Sequence, residues 1–247
     1  MPVLRRAIGS GPLMAPPLDP AAFDVLTFDC YGTLIDWETG LLAALRPQLG
    51  ESVAGVSDDA LLELFAKVEH EAQSPYQPYR AVLEQSLGDL ASMLGLPAPG
   101  PEQEAAFGAS VPDWPAFADS AAALARLQTR YRLAVITNCD DDLFAGSAAR
   151  LGVKFDDVVT AQQAGAYKPE ERPFLLAFER LGVPRARILH VAQSLWHDHV
   201  TARRLGLTSV WINRRAGRSG GGATPPADAS PDLELPDLRA LADLLVG

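Results

Sequence analysis

The run Val25-Leu26-Thr27-Phe28 is almost wholly apolar, rich in β-branched and aromatic residues, and halts at a carboxylate, Asp29. That pattern predicts a short strand buried inside a sheet. Gly32 follows and lets the chain turn sharply. Between residues 36 and 112 the apolar positions switch to helical spacing, with helices expected over 38–49, 57–73, 78–95 and 101–109. Leu61, Leu64, Phe65 and Val68 recur with that period behind Ser57-Asp58-Asp59, a capping start. Val82, Leu83, Leu87, Leu90 and Leu94 form the next stripe, and Gly95 is placed to end it. No strand-like run interrupts this block, which the Pro-rich segment Val111-Pro112-Asp113-Trp114-Pro115 closes.

From Phe117 onward helix and strand patterns alternate, the signature of parallel βαβ units. Strands are expected at 133–136, 157–160, 188–192 and 208–212. Helices are expected at 120–130, from Asp140-Asp141-Asp142 to Gly152, at 170–181, in a short stretch ending at Leu205, and at 238–245. Residues 214–230, rich in Gly, Pro and Ala, read as a surface loop. The fold class is therefore α/β. Residues 1–22 are expected to be a disordered leader, 23–35 and 113–247 the core, and 36–112 an inserted helical cap.

Whole-chain numbers narrow the classes. The 247 residues are 48% apolar and 21% charged, fitting a globular chain with a sizeable core. A formal net charge of −10 argues against nucleic-acid binding, because basic residues concentrate only in short pairs such as Arg203-Arg204 and Arg214-Arg215. Short pairs like these read as solvated helix faces or substrate-side charges. Two cysteines, Cys30 and Cys139, imply no disulfide framework and read as packing residues. No apolar run approaches the about 20 residues a membrane span needs, and Gly9, Ser10, Gly11 and Pro12 interrupt any signal-peptide core. A cytoplasmic location is expected.

Four segments converge on one edge of the expected sheet: Asp29 with Thr33, Thr137 with Asn138, Lys168 in Tyr167-Lys168-Pro169, and Ser194 with Asp198. In open α/β sheets ligands bind beyond the carboxyl ends of the strands. A carboxylate to attack, an ammonium to balance charge, hydrogen-bond donors to hold an acid and a second carboxylate are what a covalent displacement needs. Each also has a plainer reading: Asp29 as a turn cap, Lys168 as a surface lysine, Asp198 as a first-turn helix acid, Thr137 as a strand-end hydroxyl. His197 and His199 flank Asp198, but no Cys/His spacing supports zinc. Trp37, Trp114 and Trp196 are candidates to line a cap–core cleft, and Asp140 to Asp142 to cap and solvate a helix.

Phe28-Asp29-Cys30-Tyr31-Gly32-Thr33-Leu34, Ile136-Thr137-Asn138, Tyr167-Lys168-Pro169 and Val191 to Asp198, in this order, resemble the four motifs of the haloacid dehalogenase superfamily. The L-2-haloacid dehalogenase branch is the nearer match. The resemblance implies a Rossmann-like core with a helical cap inserted after the first motif. It also implies a reaction without metal or other cofactor, on a small 2-substituted carboxylic acid, in an enzyme that forms homodimers. In that scheme Asp29 displaces halide to give an ester, which water hydrolyses with Lys168 and Asp198 in support. Thr33, Thr137 and Ser194 serve the catalytic and carboxylate contacts, Asn138 lies near the leaving group, and Tyr31, Gln193 and Tyr79 complete the substrate contacts.

Some positions depart from the family pattern. Its cap supplies an Arg where Ala66 or Lys67 stands here, leaving Arg80 as the substitute candidate. Phe174 takes the place of a Tyr, and Leu195 that of an Asn. Phosphatases of the superfamily carry an Asp where Tyr31 stands and a Mg²⁺-holding Asp where Gln193 stands, and both replacements point away from phosphoryl transfer. A Mg²⁺-dependent small-molecule phosphatase is the within-class alternative. A non-catalytic relative that binds a small acid is the alternative of another class, and ring opening of a small strained acid is a variant of the main reading.

Overall fold

The computed structural model describes residues 18–217, 224 and 227–247. The expected leader up to residue 17 and residues 218–223, 225 and 226 of the 214–230 loop lie outside these residues. Six strands, β1 (Val25–Phe28), β2 (Arg132–Thr137), β3 (Asp157–Thr160), β4 (Ile188–Ala192), β5 (Thr208–Ile212) and β6 (Leu233–Leu235), form one sheet. Its order is β3-β2-β1-β4-β5-β6, with every pairing parallel. This is the Rossmann order, and the chain reverses direction across the sheet between β1 and β4. A crevice forms at that switch point, beyond Phe28 and Ala192.

The helices in chain order are α1 (Trp37–Leu49), α2 (Asp58–Ala72), α3 (Tyr79–Met93), α4 (Pro101–Gly108), α5 (Ser120–Leu127), α6 (Asp141–Leu151), α7 (Ala161–Ala164), α8 (Arg172–Leu181), α9 (Val200–Leu205) and α10 (Leu238–Val246). Central strands are buried on both faces because helices cover both. Leu26, Phe28, Leu133, Val135, Leu189 and Val191 pack toward α5 and α10 through Leu124, Leu127, Leu241 and Leu245. Val25, Ala134, Ile136 and Ile188 pack the other way, against Phe174, Ala177 and Leu181 of α8 and Ala202 of α9. The period of two along each strand divides the core into these two clusters.

Helices α1 to α4 occupy the stretch between β1 and α5, with no strand among them. Ser57 caps α2 by accepting the Ala60 N–H, a contact worth about 1 kcal/mol. Gly40 faces Trp114 so closely that a Cβ there would lie 2.4 Å from the indole. Larger residues at position 40 would therefore push α1 off the core.

Three expectations are corrected. Residues 18–22 are ordered: Pro20–Ala22 form a 3₁₀ turn, with Tyr131 donating to the Pro20 carbonyl and Arg187 to those of Ala21 and Ala22. The Asp140-Asp141-Asp142 run does not simply solvate α6. Asp140 is buried and caps α3 instead, accepting the Tyr79 and Arg80 N–H groups at 2.9 and 3.0 Å. Arg214 and Arg215 are not solvated either. Arg214 lies 4.1 Å over the Phe117 ring and bonds Asp119 and the Thr33 carbonyl, while Arg215 pairs with Glu38 and Asp59. These contacts tie the end of β5 to the turn after β1 and to α1 and α2. Finally, β6 and the single turn α7 are too short to show a readable period in sequence. No described helix is long and apolar enough to cross a membrane.

Candidate active site

Asp29 follows β1 directly, so the strand delivers its carboxylate to the switch-point crevice. Gly32, at φ +94°, turns the chain back and brings Thr33 within 2.7 Å of Asp29 Oδ2, to which its hydroxyl donates. Thr33 Oγ1 in turn accepts the Gln193 N–H at 2.8 Å, linking the ends of β1 and β4.

Lys168 is 1% exposed, and an ammonium has three protons to place. All three are placed: on Asp29 Oδ1 at 2.8 Å, on Asp198 Oδ1 at 2.7 Å and on the Ile136 carbonyl at 2.9 Å. Asn138 fixes the lysine's backbone reciprocally, donating to the Lys168 carbonyl and accepting its N–H. Asp198 Oδ1 also bonds His190 Nε2 at 3.0 Å, and His190 Nδ1 reaches Thr27 Oγ1 at 3.0 Å. A continuous chain of polar groups therefore runs from Thr27 to Gln193 through the two carboxylates.

The electrostatics follow from this wiring. Burial raises the Asp29 carboxyl, opposed by Lys168 and Thr33, and the net direction is upward. Burial acts the same way on Asp198, but Lys168 and His190 outweigh it and hold that carboxyl well below the usual range. Burial opposes the charge on Lys168, yet two carboxylates in contact raise it, so it stays an ammonium.

The cleft is walled by Asp29, Tyr31, Asn138, Lys168, Ser194 and His197 from the core, and by Trp37, Glu69, Gln73 and Tyr79 from α1 to α3, with Thr224 at the edge. It offers about 40 Å³, room for only a few waters. Tyr31 bonds Ser147 through its hydroxyl and meets Trp114 edge-on at 5.7 Å, leaving its ring as wall. Ser194 accepts the His197 N–H at 2.9 Å and so caps a π-helical turn, Leu195–His199, that leads into α9. That turn buries Asp198 against Lys168, in line with the tendency of π-turns to sit at functional sites. Burial lowers His197 to about 4, so its imidazole is neutral at pH 7. Tyr79 donates to Glu69 Oε1 at 2.8 Å, and burial raises that acid to about 7.

The structure thus gathers Asp29, Thr33, Lys168 and Asp198 in one bonded cluster, with Tyr31, Asn138, Ser194 and Tyr79 on the cleft wall. Arg80 is not brought there: α3 points its guanidinium outward to Asp142 at 2.7 Å. Gln193 is not brought there either, since it lines a separate hollow with Gly32, Asp36 and Arg214. Thr137 is buried behind the wall, with its hydroxyl unpaired among the described residues. Trp37 lines the cleft, whereas Trp114 packs under α1. His199 bonds Ser209 and the Ala192 carbonyl, away from the cleft. The sequence reading missed Glu69 and His190. Both carried a signal, one a charge on the apolar face of α2 and the other an imidazole inside the apolar run of β4.

The residues do not fit a Mg²⁺ site. Both Asp29 oxygens and one Asp198 oxygen are already bonded to Thr33, Lys168 and His190, and Gln193 faces elsewhere. No group of three metal-binding side chains gathers among the described residues.

A Rossmann-ordered sheet with a helical insertion after β1, and an Asp–Lys–Asp cluster at its switch point, defines a class of hydrolases. The chain belongs to the haloacid dehalogenase-like hydrolases, whose family model matches residues 23–206. Among curated proteins it is similar to the (S)-2-haloacid dehalogenase of Pseudomonas sp. (strain YL), 26% identical over 89% of this chain and 93% of that one. It is as similar to (S)-2-haloacid dehalogenase H-109 of Pseudomonas putida, 26% identical over 90% and 97%. Among solved structures, the L-2-haloacid dehalogenase PA0810 superposes with a TM-score of 0.73, at 26% identity over 90% of this chain and 99% of that one.

Proposed function

We propose that this hydrolase removes halide from small 2-haloacids without metal, through an ester on Asp29. The observation that carries the reading is the fully bonded Lys168 between Asp29 and Asp198, at the floor of a cleft of about 40 Å³. Burial raises the basicity of Asp29, which makes it a better nucleophile, while contact with Lys168 favours its ionised form. An Asp29 oxygen forms a bond to the substrate α-carbon while the carbon–halogen bond breaks and its electron pair leaves with the halide. Water then attacks the Asp29 carbonyl carbon, the 2-hydroxyacid departs, and the carboxylate is restored. Lys168 stabilises the negative charge that builds on the carbonyl oxygen. Asp198, held by His190, fixes the ammonium in place. The small cleft suits short acids, and Ser194 on its wall is a hydroxyl near which their carboxylate can rest. The dehalogenase relatives, matched over nine-tenths of the chain, support the same chemistry.

The test is halide release from short 2-chloro-, 2-bromo- and 2-fluoroacids, with and without EDTA, beside an Asp29→Asn variant. Release that survives EDTA and is lost in the variant is the expected result. In H₂¹⁸O under single turnover the label should enter Asp29 before product. No release from any acid would overturn the reading.

A further inference from the structure

In an in-line displacement by Asp29 the leaving group departs on the face of the carbon away from the nucleophile. Asp29 lies at the sheet edge, and Glu69 and Tyr79 reach the cleft from α2 and α3 on the inserted side. A leaving anion there needs donors. Lys168, the cation among the described cleft residues, has all its protons committed to Asp29, Asp198 and the Ile136 carbonyl. One of the two Asn138 amide protons goes to the Lys168 carbonyl, and Arg80 is turned to Asp142. Glu69 is buried, its Oε1 accepts from Tyr79, and its Oε2 has no protein partner among the described residues. A carboxylic acid with its carbonyl oxygen so occupied presents its remaining oxygen as an O–H donor.

We propose that Glu69, as the neutral acid with Tyr79 holding its Oε1, donates its Oε2 proton in a hydrogen bond to the departing halide. This rests on the dehalogenase reading of the site. The proton stays on Glu69 while the halide leaves with the bonding electron pair, so no co-reactant is required. An ionised Glu69 would add a third carboxylate to a cleft that already holds Asp29 and Asp198 against one Lys168, and would repel both the substrate acid and the halide. Fluoride, the strongest hydrogen-bond acceptor among the halides, gains the most from such a donor.

The pH dependence can be traced to its source. The titratable groups that face Glu69 are Tyr79 and Tyr167 on the inserted side and loop, Asp29, Lys168 and His197 across the cleft, and His70 beside it on α2. Tyr79 and Tyr167 are held well above their usual range by burial and Lys168 is raised, so none loses a proton near pH 7. His197 is already neutral there. Glu69, raised to about 7, titrates within the range where activity above neutrality is measured.

Halide release measured from pH 5.5 to 9 tests the assignment. In the wild type kcat should fall about tenfold per pH unit above Glu69's titration. Glu69→Leu, which has no donor, should lower kcat at pH 6 by about 10²-fold. Glu69→Gln should recover part of that loss through its amide and remove the alkaline limb. Bromide inhibition gives a second readout free of turnover: it should weaken at least about tenfold from pH 6 to 8 in the wild type and stay constant in Glu69→Gln. The same alkaline limb in Glu69→Gln, or bromide inhibition independent of pH in the wild type, would overturn the role of Glu69. Wild-type silence toward every haloacid would instead remove the dehalogenase reading beneath it.

Discussion

At the sheet edge, charge is fixed by saturation: Lys168 places three N–H donors on three oxygens, and two carboxylates take their state from it. Across the cleft, the inserted helices contribute Glu69, Tyr79, Trp37 and Gln73, with no bonded ion pair among them and one oxygen of Glu69 free. Both regions are buried, and burial raises the carboxyls of both; what differs is the partner each acid meets. Where a cation is supplied, a buried acid such as Asp198 is held ionised; where none is supplied, a buried acid such as Glu69 moves toward the neutral form. A displacement that begins with an attacking anion and ends with a departing one needs both environments.

The harshest way to break the contrast is to neutralise Asp29, the nucleophile of the proposed reaction. Asp29→Asn should lower halide release by about 10⁴-fold or more while the melting temperature changes little. Residual turnover within tenfold of wild type would place the nucleophile elsewhere. Lys168→Met leaves Asp29 and Asp198 buried without a counter-ion, and urea unfolding should report a loss of about 3–5 kcal/mol together with loss of turnover. A variant as stable as wild type would show that the cluster is not the electrostatic keystone described.

Smaller effects sharpen the comparison. Asp140→Ala removes the acceptor for two N–H groups at the start of α3, the helix that carries Tyr79. It should cost about 1–2 kcal/mol and raise KM more than it lowers kcat, because the insertion is held less firmly over the cleft. An unchanged KM would separate Asp140 from the positioning of α3. His190→Phe takes one donor from Asp198 and should cost about 1–3 kcal/mol in stability, with a several-fold fall in kcat.

The mildest perturbation is pH alone. Glu69 has its folded value raised to about 7, so its stabilisation is full below its unfolded value of 4.5 and is lost as pH rises through 7. His197 and His199 have folded values lowered to about 4, so stability is lost as pH falls from 6.5 toward 4. Between pH 4.5 and 6.5 the two effects oppose each other, so thermal melts should rise with pH less steeply than the imidazoles alone would give and level off near 7. Glu69→Gln should steepen that rise; a variant with an unchanged profile would mean Glu69 does not titrate there.

Much of the molecule was legible in the chain. The strands at Asp157–Thr160, Ile188–Ala192 and Thr208–Ile212 and the four helices of the insertion follow from hydrophobic period and capping residues such as Ser57 and Gly95. Asp29, Thr33, Lys168 and Asp198 were readable because each stands where an apolar run ends or a loop begins at one edge of a parallel sheet. Arg80, Gln193 and the Arg214-Arg215 pair were misplaced for a common reason. Where a long or flexible side chain points is set by partners distant in sequence, here Asp142, Asp119, Glu38 and Asp59, rather than by local pattern.

Sequence by itself determined the alternation of elements, the parallel sheet and the order of chemical groups along its edge, because period and turn chemistry are local properties. The tertiary structure decided which acids are ionised. Asp198 and Glu69 are both buried carboxyls, and nothing adjacent in the chain distinguishes them. The difference is that Lys168 and His190 fold against one and Tyr79 against the other. Charge state in a low-dielectric interior depends on what lies within a few ångströms in space, and only folding brings those neighbours together.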